Sequence, residues 1–405
     1  MLLRSILLFA GIGLMVCATL PSKSAQTIEN VRPLSNPALP GSVAPSLSAT
    51  SDGKVILSWL EPADVGLTLR FAIWDGNGWS HSRTVIQRAD FDVYAEAPPT
   101  VLKLANGTLL SIWGTKIKTG GKWGGSYLFS SVSADRGEHW TPPVRIHSDG
   151  SLSEHSFSSV IPMGPDRAAV IWLDARDYET KHRYRLMSAL IDSRGRVSEE
   201  KTVDEDTCTC CPTAFVNTRE GALAAYRGHS SEEIRDIKVA RLADGNWQPP
   251  HTIHDDLWKI KGCPVNGPAL ANDGSRVAIL WFTGSDDKPE VKIAMSDDLG
   301  STFRSMTTLD SPSGEDRPVG HVAVSLLNDG SAVAVWLHHR SSGTEIVGER
   351  ISKSGQRSDE FTIASGTETG LGYPRSQRVG GQLVVSWSGK TGKDVKTTII
   401  RPAAY

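Results

Sequence analysis

Seven times along the chain, a run of small or β-branched apolar residues closes on an aromatic side chain. The runs occupy residues 55–59, 109–113, 168–172, 222–226, 277–281, 332–336 and 383–387, and they end on Trp59, Trp113, Trp172, Tyr226, Trp281, Trp336 and Trp387. These aromatics stand 54, 59, 54, 55, 55 and 51 residues apart. Runs of five residues are too short for independent helices. A fixed period near 50 made of short strands is the signature of a propeller, in which each unit is a small sheet that can bury its faces only against its neighbours.

Other strand-like runs complete each unit. An inner run precedes the aromatic and is often opened by proline, as at Pro45, Pro98, Pro212 and Pro268; a strand's first residue needs no ladder donor, so proline is tolerated there. A third run follows the aromatic (residues 69–74, 128–133, 186–191 and 291–296), and a fourth short run ends the unit (83–86, 144–146, 201–203, 251–253, 307–309 and 361–363). Only six fourth runs are present. The seventh unit stops at its third strand near Ile400, and Gln26-Thr27-Ile28 supplies the missing strand from the other end of the chain. The sequence therefore predicts an all-β, seven-bladed propeller closed by pairing its two ends, which removes an exposed sheet edge. The alternative is a six-bladed ring with a stray hairpin.

The turn between third and fourth strands carries a motif. Residues 133–140, Ser-Ala-Asp-Arg-Gly-Glu-His-Trp, fit S-x-D-x-G-x-x-W in full, and residues 296–303 fit it with Phe303 in the last place. Shortened versions begin at Asp75, Asp192 and Asp244. In such a turn Asp accepts backbone N–H groups, Gly takes φ > 0, and the aromatic packs back onto the blade. On these residues the chain resembles the sialidase-like, Asp-box (BNR-repeat) propellers over essentially the whole of residues 26–405. The resemblance implies a sialidase-type ring. It also implies a glycan or similar small-molecule ligand on the face opposite the Asp boxes, and, if the chain is an enzyme, a glycoside hydrolase.

The sialidase machinery itself is not matched. The family's F/Y-R-I-P segment has no equivalent; Asn30-Val31-Arg32-Pro33 is the nearest stretch and a poor fit, and the setting of Tyr373-Pro374-Arg375 does not match a catalytic tyrosine. Glycosidase chemistry needs two carboxylates at a set separation, which a sequence does not supply. Whether the chain is catalytic stays open at this point.

Residues 1–25 read as a secretory signal peptide: Arg4 leads a short apolar stretch, and small residues follow. Cys17 sits in a loose lipobox, but Val16 is bulky where a small residue is expected, which argues against a lipid anchor. No later apolar run is long enough for a transmembrane helix, so the expectation is an exported protein, periplasmic or secreted. Lys and Arg number 43 against 45 Asp and Glu, leaving no basic excess to neutralise nucleic acid.

Strand order places the chemistry. Links between blades and the loops between second and third strands share the face opposite the Asp boxes. Cys208, Cys210 and Cys211 stand just before the fourth inner strand, and Cys263 just before the fifth. In an oxidising compartment, disulfides are the plain reading, for example Cys208–Cys263 with a vicinal Cys210–Cys211 bridge. The sharper reading is a thiolate site for Cu(I) or Zn(II). Arg227, Asp236, Trp258, His321, Tyr373 and Arg375 are the ligand-binding candidates from nearby links and loops. Arg227, Arg317 and Arg375 would suit an anion clamp, because guanidinium pairs bidentately with carboxylate.

Overall fold

The computed structural model describes residues 28–118, 124–366, 371–389 and 394–402. Seven antiparallel sheets follow one another in chain order, and each of the first six is laid down inner strand to outer strand. Blades 1 to 6 span residues 43–88, 100–145, 155–207, 214–252, 269–310 and 317–366. The seven closing aromatics all lie on second strands, and Trp59, Trp113, Trp172, Trp281 and Trp336 are among the largest fully buried side chains. The second strands, such as Val277–Thr283, are buried on both faces, which explains why they read as continuous apolar runs rather than alternating ones.

Blade 7 consists of Arg375–Val379, Gln382–Ser388 and Val395–Pro402, and its outer strand is Ile28–Pro33 from the other end of the chain. Ring closure by the early strand is observed, with a shifted position. The strand runs through residue 33 rather than centring on residues 26–29, and Gln26 and Thr27 lie outside the described residues. Val31 opposite Ile400 joins the apolar seam between blades 6 and 7. Asn36 then clamps the closure by donating to the Val395 carbonyl (3.1 Å) and to Thr397 Oγ1 (3.2 Å).

The two full-length turn motifs have the same hydrogen bonding. Ser133 and Ser296 each accept the N–H of the glycine four residues on (Gly137 and Gly300, both 2.8 Å), and Asp135 and Asp298 each accept the N–H of the residue four on. Both glycines have positive φ, 90° and 85°. The aromatic packs onto the preceding blade, not its own. Trp140 meets Phe71 of blade 1 edge-on at 6.1 Å, and Phe303 joins the cluster around Leu223 of blade 4. These turns are therefore joints between blades.

Hydroxyl bridges repeat the stitching near the axis. Ser46 with Thr100, Ser159 with Thr213, and Ser325 with Ser376 join neighbouring inner strands at 2.8–2.9 Å. Five of the seven closing aromatics are anchored as well. Trp59 and Trp172 donate to the acid two residues on (Glu61 and Asp174), while Tyr226, Trp281 and Trp336 donate to Asp204, Asp256 and Asp310, which end the outer region of the preceding blade.

Candidate functional site

All four cysteines of the described residues lie on the face opposite the turn motifs. Cys208 to Cys211 form the link from blade 3 to blade 4, and Cys263 lies in the link from blade 4 to blade 5. Cys210 and Cys263 form a disulfide with a Cα separation of 6.1 Å, so the pairing differs from the expected Cys208–Cys263. Cys208 and Cys211 remain thiols, buried, with their sulfurs 3.7 Å apart. The chain reason is close approach: the Gly267 backbone lies against the Pro212 carbonyl so tightly that any Cβ there would clash.

Two buried arginines stand over this pair. Arg235 Nη1 donates to Cys208 Sγ at 3.3 Å, and its other donors reach the Ile260 carbonyl and Glu233. Arg227 donates only to carbonyls, those of Asn266, Arg235 and Phe282, and lies 4.8 Å above the Trp258 ring. The hydrogen bond from Cys211 and the positive charge of both arginines outweigh burial and hold the Cys208 thiol down at about 5. Burial drives the Cys211 thiol the other way, well above its ordinary value. Sulfurs of Cys208, Cys210 and Cys211 all lie within 4.8 Å of one another. That donor set suits a soft cation, although the disulfide engages Cys210 and leaves two thiol donors.

The segment after Cys263 ties four blades together. Val265 accepts the Tyr373 hydroxyl (2.5 Å), Asn266 accepts Arg227 through its carbonyl, and its side chain accepts the His321 N–H (2.7 Å). His321 has a left-handed backbone (φ 51°) where the inner strand of blade 6 breaks register, a bulge that turns its ring onto Tyr373 at 3.7 Å. Asp236 spends both oxygens on the Leu257 and Trp258 N–H groups, and burial raises its pKa. Arg375 is half-buried, and its Nη2 donates to the Ala95 and Glu96 carbonyls. Of the expected three-arginine clamp, Arg227 is spent on backbone carbonyls, Arg375 turns its Nη2 onto two more, and Arg317 is exposed.

One cleft of about 430 Å³ opens on this face. It is lined by Arg317, His321, His339 and Thr344 among apolar Phe282, Pro289, Pro318, Val319, Leu337 and Leu371. These residues come from the second-to-third-strand ends of blades 5 and 6, the start of the inner strand of blade 6, and the link to blade 7. Arg317 is exposed at its mouth. Of the six ligand candidates, His321 lines it.

Two acidic clusters lie on the same side, and of their members sequence reasoning picked out only Asp174 and Arg176 in the loop of blade 3. Asp149 accepts from His147 Nδ1 and His155 Nε2 (both 2.9 Å), the two rings stack at 3.5 Å, and Asp174, Arg176 and Glu200 extend the network. Asp149 and both nitrogens of His155 are engaged, but His147 Nε2 is buried without a hydrogen-bond partner among the described residues. The second cluster joins Asp92 and Glu154; Glu154 accepts from Tyr184 (2.8 Å) and Ser156 (2.7 Å), and Tyr94 stacks on Phe157 nearby. Burial pushes the Asp92 carboxyl up to about 6, with Lys116 opposing and the Glu154 charge adding to the rise. The Trp-x-acid pattern at Trp59 and Trp172 was a readable signal for Asp174.

No protein-family description and no curated protein matches the sequence. Solved structures do match. A protein of unknown function from Dyadobacter fermentans superposes with a TM-score of 0.51 at 14% identity, over 92% of this chain and 98% of that one. The α-L-arabinanase of Penicillium chrysogenum, solved with arabinobiose, gives 0.50 at 12% identity over 92% and 96%. A point mutant of the NanB sialidase of Streptococcus pneumoniae gives 0.48 at 10% identity over 95% and 71%. The likeness is one of fold. The chain is an all-β, seven-bladed propeller, and among its described residues no helix is long and apolar enough to cross a membrane.

Proposed function

We propose that this chain is an exported propeller that recognises an acidic saccharide in the cleft between blades 5, 6 and 7. The observation that carries the reading is the lining: Arg317, His321 and His339 stand among apolar side chains, and no carboxylate lines the cleft among the described residues. Ligand sites are typically concave, largely apolar, and furnished with a few convergent polar groups. A guanidinium at the mouth fits a sugar carboxylate, and the apolar wall fits the C–H face of a pyranose or furanose ring. Glycoside hydrolysis works through two carboxylates; the lining supplies neither, so the proposed role is binding. Export is supported by the leader-like residues 1–25 and by the Cys210–Cys263 disulfide, which suits an oxidising compartment.

The test is calorimetric titration of the purified protein with matched panels of neutral and carboxylated oligosaccharides. An acidic saccharide should bind, and Arg317→Ala should weaken it by about tenfold or more, the effect of losing a charge-assisted hydrogen bond. The melting temperature should not move. Equal binding of neutral and acidic sugars, or an unchanged affinity in Arg317→Ala and His339→Ala, would overturn the reading.

A further inference from the structure

The four sulfurs are graded in depth. Cys263 is exposed, Cys210 is half-buried, and Cys208 and Cys211 are each 1% exposed. The disulfide occupies the outer end of this series and the dithiol the inner end, with Cys208, Cys210 and Cys211 mutually within 4.8 Å. We infer that the cluster is an internal thiol–disulfide relay, which passes two electrons between the buried Cys208/Cys211 pair and the exposed Cys210–Cys263 bridge. This site is independent of the saccharide cleft.

The steps balance within the chain. Cys208 thiolate attacks Cys210 Sγ; the Cys208–Cys210 bond forms, the Cys210–Cys263 bond breaks, and the electron pair leaves on Cys263. Cys211 then attacks Cys208 Sγ, the Cys208–Cys211 bond forms, and the pair leaves on Cys210, which takes the Cys211 proton. The Cys263 thiolate takes its proton from solvent. The disulfide has moved inward, the outer pair is now a dithiol, and no outside oxidant or reductant was needed. At the exposed end, those thiols are placed to exchange with the disulfide of a second protein or a small disulfide.

The surroundings fit each role. Exchange proceeds by thiolate attack and is favoured by a thiolate-rich nucleophile. Arg235 donates to Cys208, Arg227 adds its charge, and the thiol is held near 5. Cysteines spaced C-x-x-C, as Cys208 and Cys211 are, commonly show this lowering on one member. Cys211, its sulfur 3.7 Å from Cys208 Sγ, is placed to resolve the intermediate, giving up its proton to Cys210 as it attacks. Nothing in blade packing calls for cysteine here, since the corresponding approach to the first inner strand uses Ala44.

The experiment uses the folded full-length protein and a bulky polymer-linked maleimide that reaches exposed thiols only. Although Cys263 begins in a disulfide, it should become labelled over time at neutral pH, and peptide mapping without reductant should show a Cys208–Cys211 disulfide left behind. Cys208→Ser should slow Cys263 labelling at least tenfold. Arg235→Gln keeps all four sulfurs, so it serves if the serine variant folds poorly; it should slow labelling several-fold at pH 6 and less at pH 9, where the thiolate forms unaided. Labelling of Cys263 at the same rate in Cys208→Ser would overturn the relay. So would no labelling over a day, direct labelling of Cys208 and Cys211, or purification with one copper or zinc ion per chain and no disulfide.

Discussion

The two faces of the ring are built by different rules. On one, residues 133–140 of blade 2 and 296–303 of blade 5 repeat the same roles for serine, aspartate, glycine and aromatic, with the same 2.8 Å bond from the glycine N–H to the serine hydroxyl, three blades apart. On the other, no two links are alike: one brings Asp92, one His147 and Asp149, one the three clustered cysteines, one Asn266. Repetition marks the joints that hold blades together. Departure from repetition marks the places where side chains answer to something other than packing, and the sulfur cluster and basic cleft both lie there.

The largest test of this division removes a strand that belongs to the joints. Deleting residues 28–33 strips the outer strand from blade 7 and leaves Val395–Pro402 as an open edge. The loss includes its ladder bonds and the Val31 contact, and the melting temperature should fall by about 10 °C or more. The deleted chain should also gain a tendency to self-associate through the bare edge, read by light scattering. A melting curve like that of the intact chain would mean that the ring holds without its closure.

A smaller test asks whether the repeated turns are joints or mere hairpins. Gly300 needs positive φ, and a Cβ on it would collide with the Leu223 side chain of the preceding blade; Gly137 stands in the same relation to Phe71. Gly76 also has positive φ (100°), but a Cβ there meets open space. Gly76→Ala should therefore cost only the backbone term, about 1 kcal/mol. Gly300→Ala and Gly137→Ala should add an overpacking cost and reach about 2–4 kcal/mol in denaturant unfolding. If all three cost the same, the collision with the neighbouring blade is relieved without penalty and the joint reading fails.

How much of this was legible in the chain follows the same line. The blades were readable because burial on both faces leaves a continuous apolar run ending on an aromatic, and that signal recurs. The closing strand was read a few residues early: in Ile28–Pro33 only Ile28 and Val31 are apolar, and Pro33 looks like a break, whereas at an edge it costs no ladder bond. The cysteine pairing was not readable, because C-x-C-C with a distant fourth cysteine permits three connectivities and only the fold decides which sulfurs meet. Arg227 and Arg375 read as ligand clamps since a guanidinium has five donors wherever it stands. The fold instead turns Arg227 Nε, Nη1 and Nη2 and Arg375 Nη2 onto backbone carbonyls. The cleft drew on Arg317 and His339 from one blade and Leu371 from the next, a convergence that needs three dimensions.

The smallest effect sharpens the comparison on the irregular face itself. Asp92 is buried and its carboxyl is pushed up to about 6 from an ordinary 3.8. The folded protein therefore holds this proton more tightly than the unfolded chain does. The stabilising contribution of the protonated form is complete below about pH 4, and it is lost as pH rises through 6. A two-unit shift corresponds to roughly 2–3 kcal/mol between those limits. Asp92→Asn keeps the shape and removes the charge, so variant and wild type should have similar stability at pH 4, and the variant should be the more stable by about 2 kcal/mol at pH 8. Denaturant unfolding at half-unit pH intervals would trace the gap opening around pH 6. Because the Glu154 charge contributes to the rise, Glu154→Gln should move that opening to lower pH, even though it also disturbs the Tyr184 and Ser156 hydroxyls. A gap that does not change with pH would show that Asp92 stays ionised in the fold, and that this link, unlike the cysteine link, holds nothing out of its ordinary state.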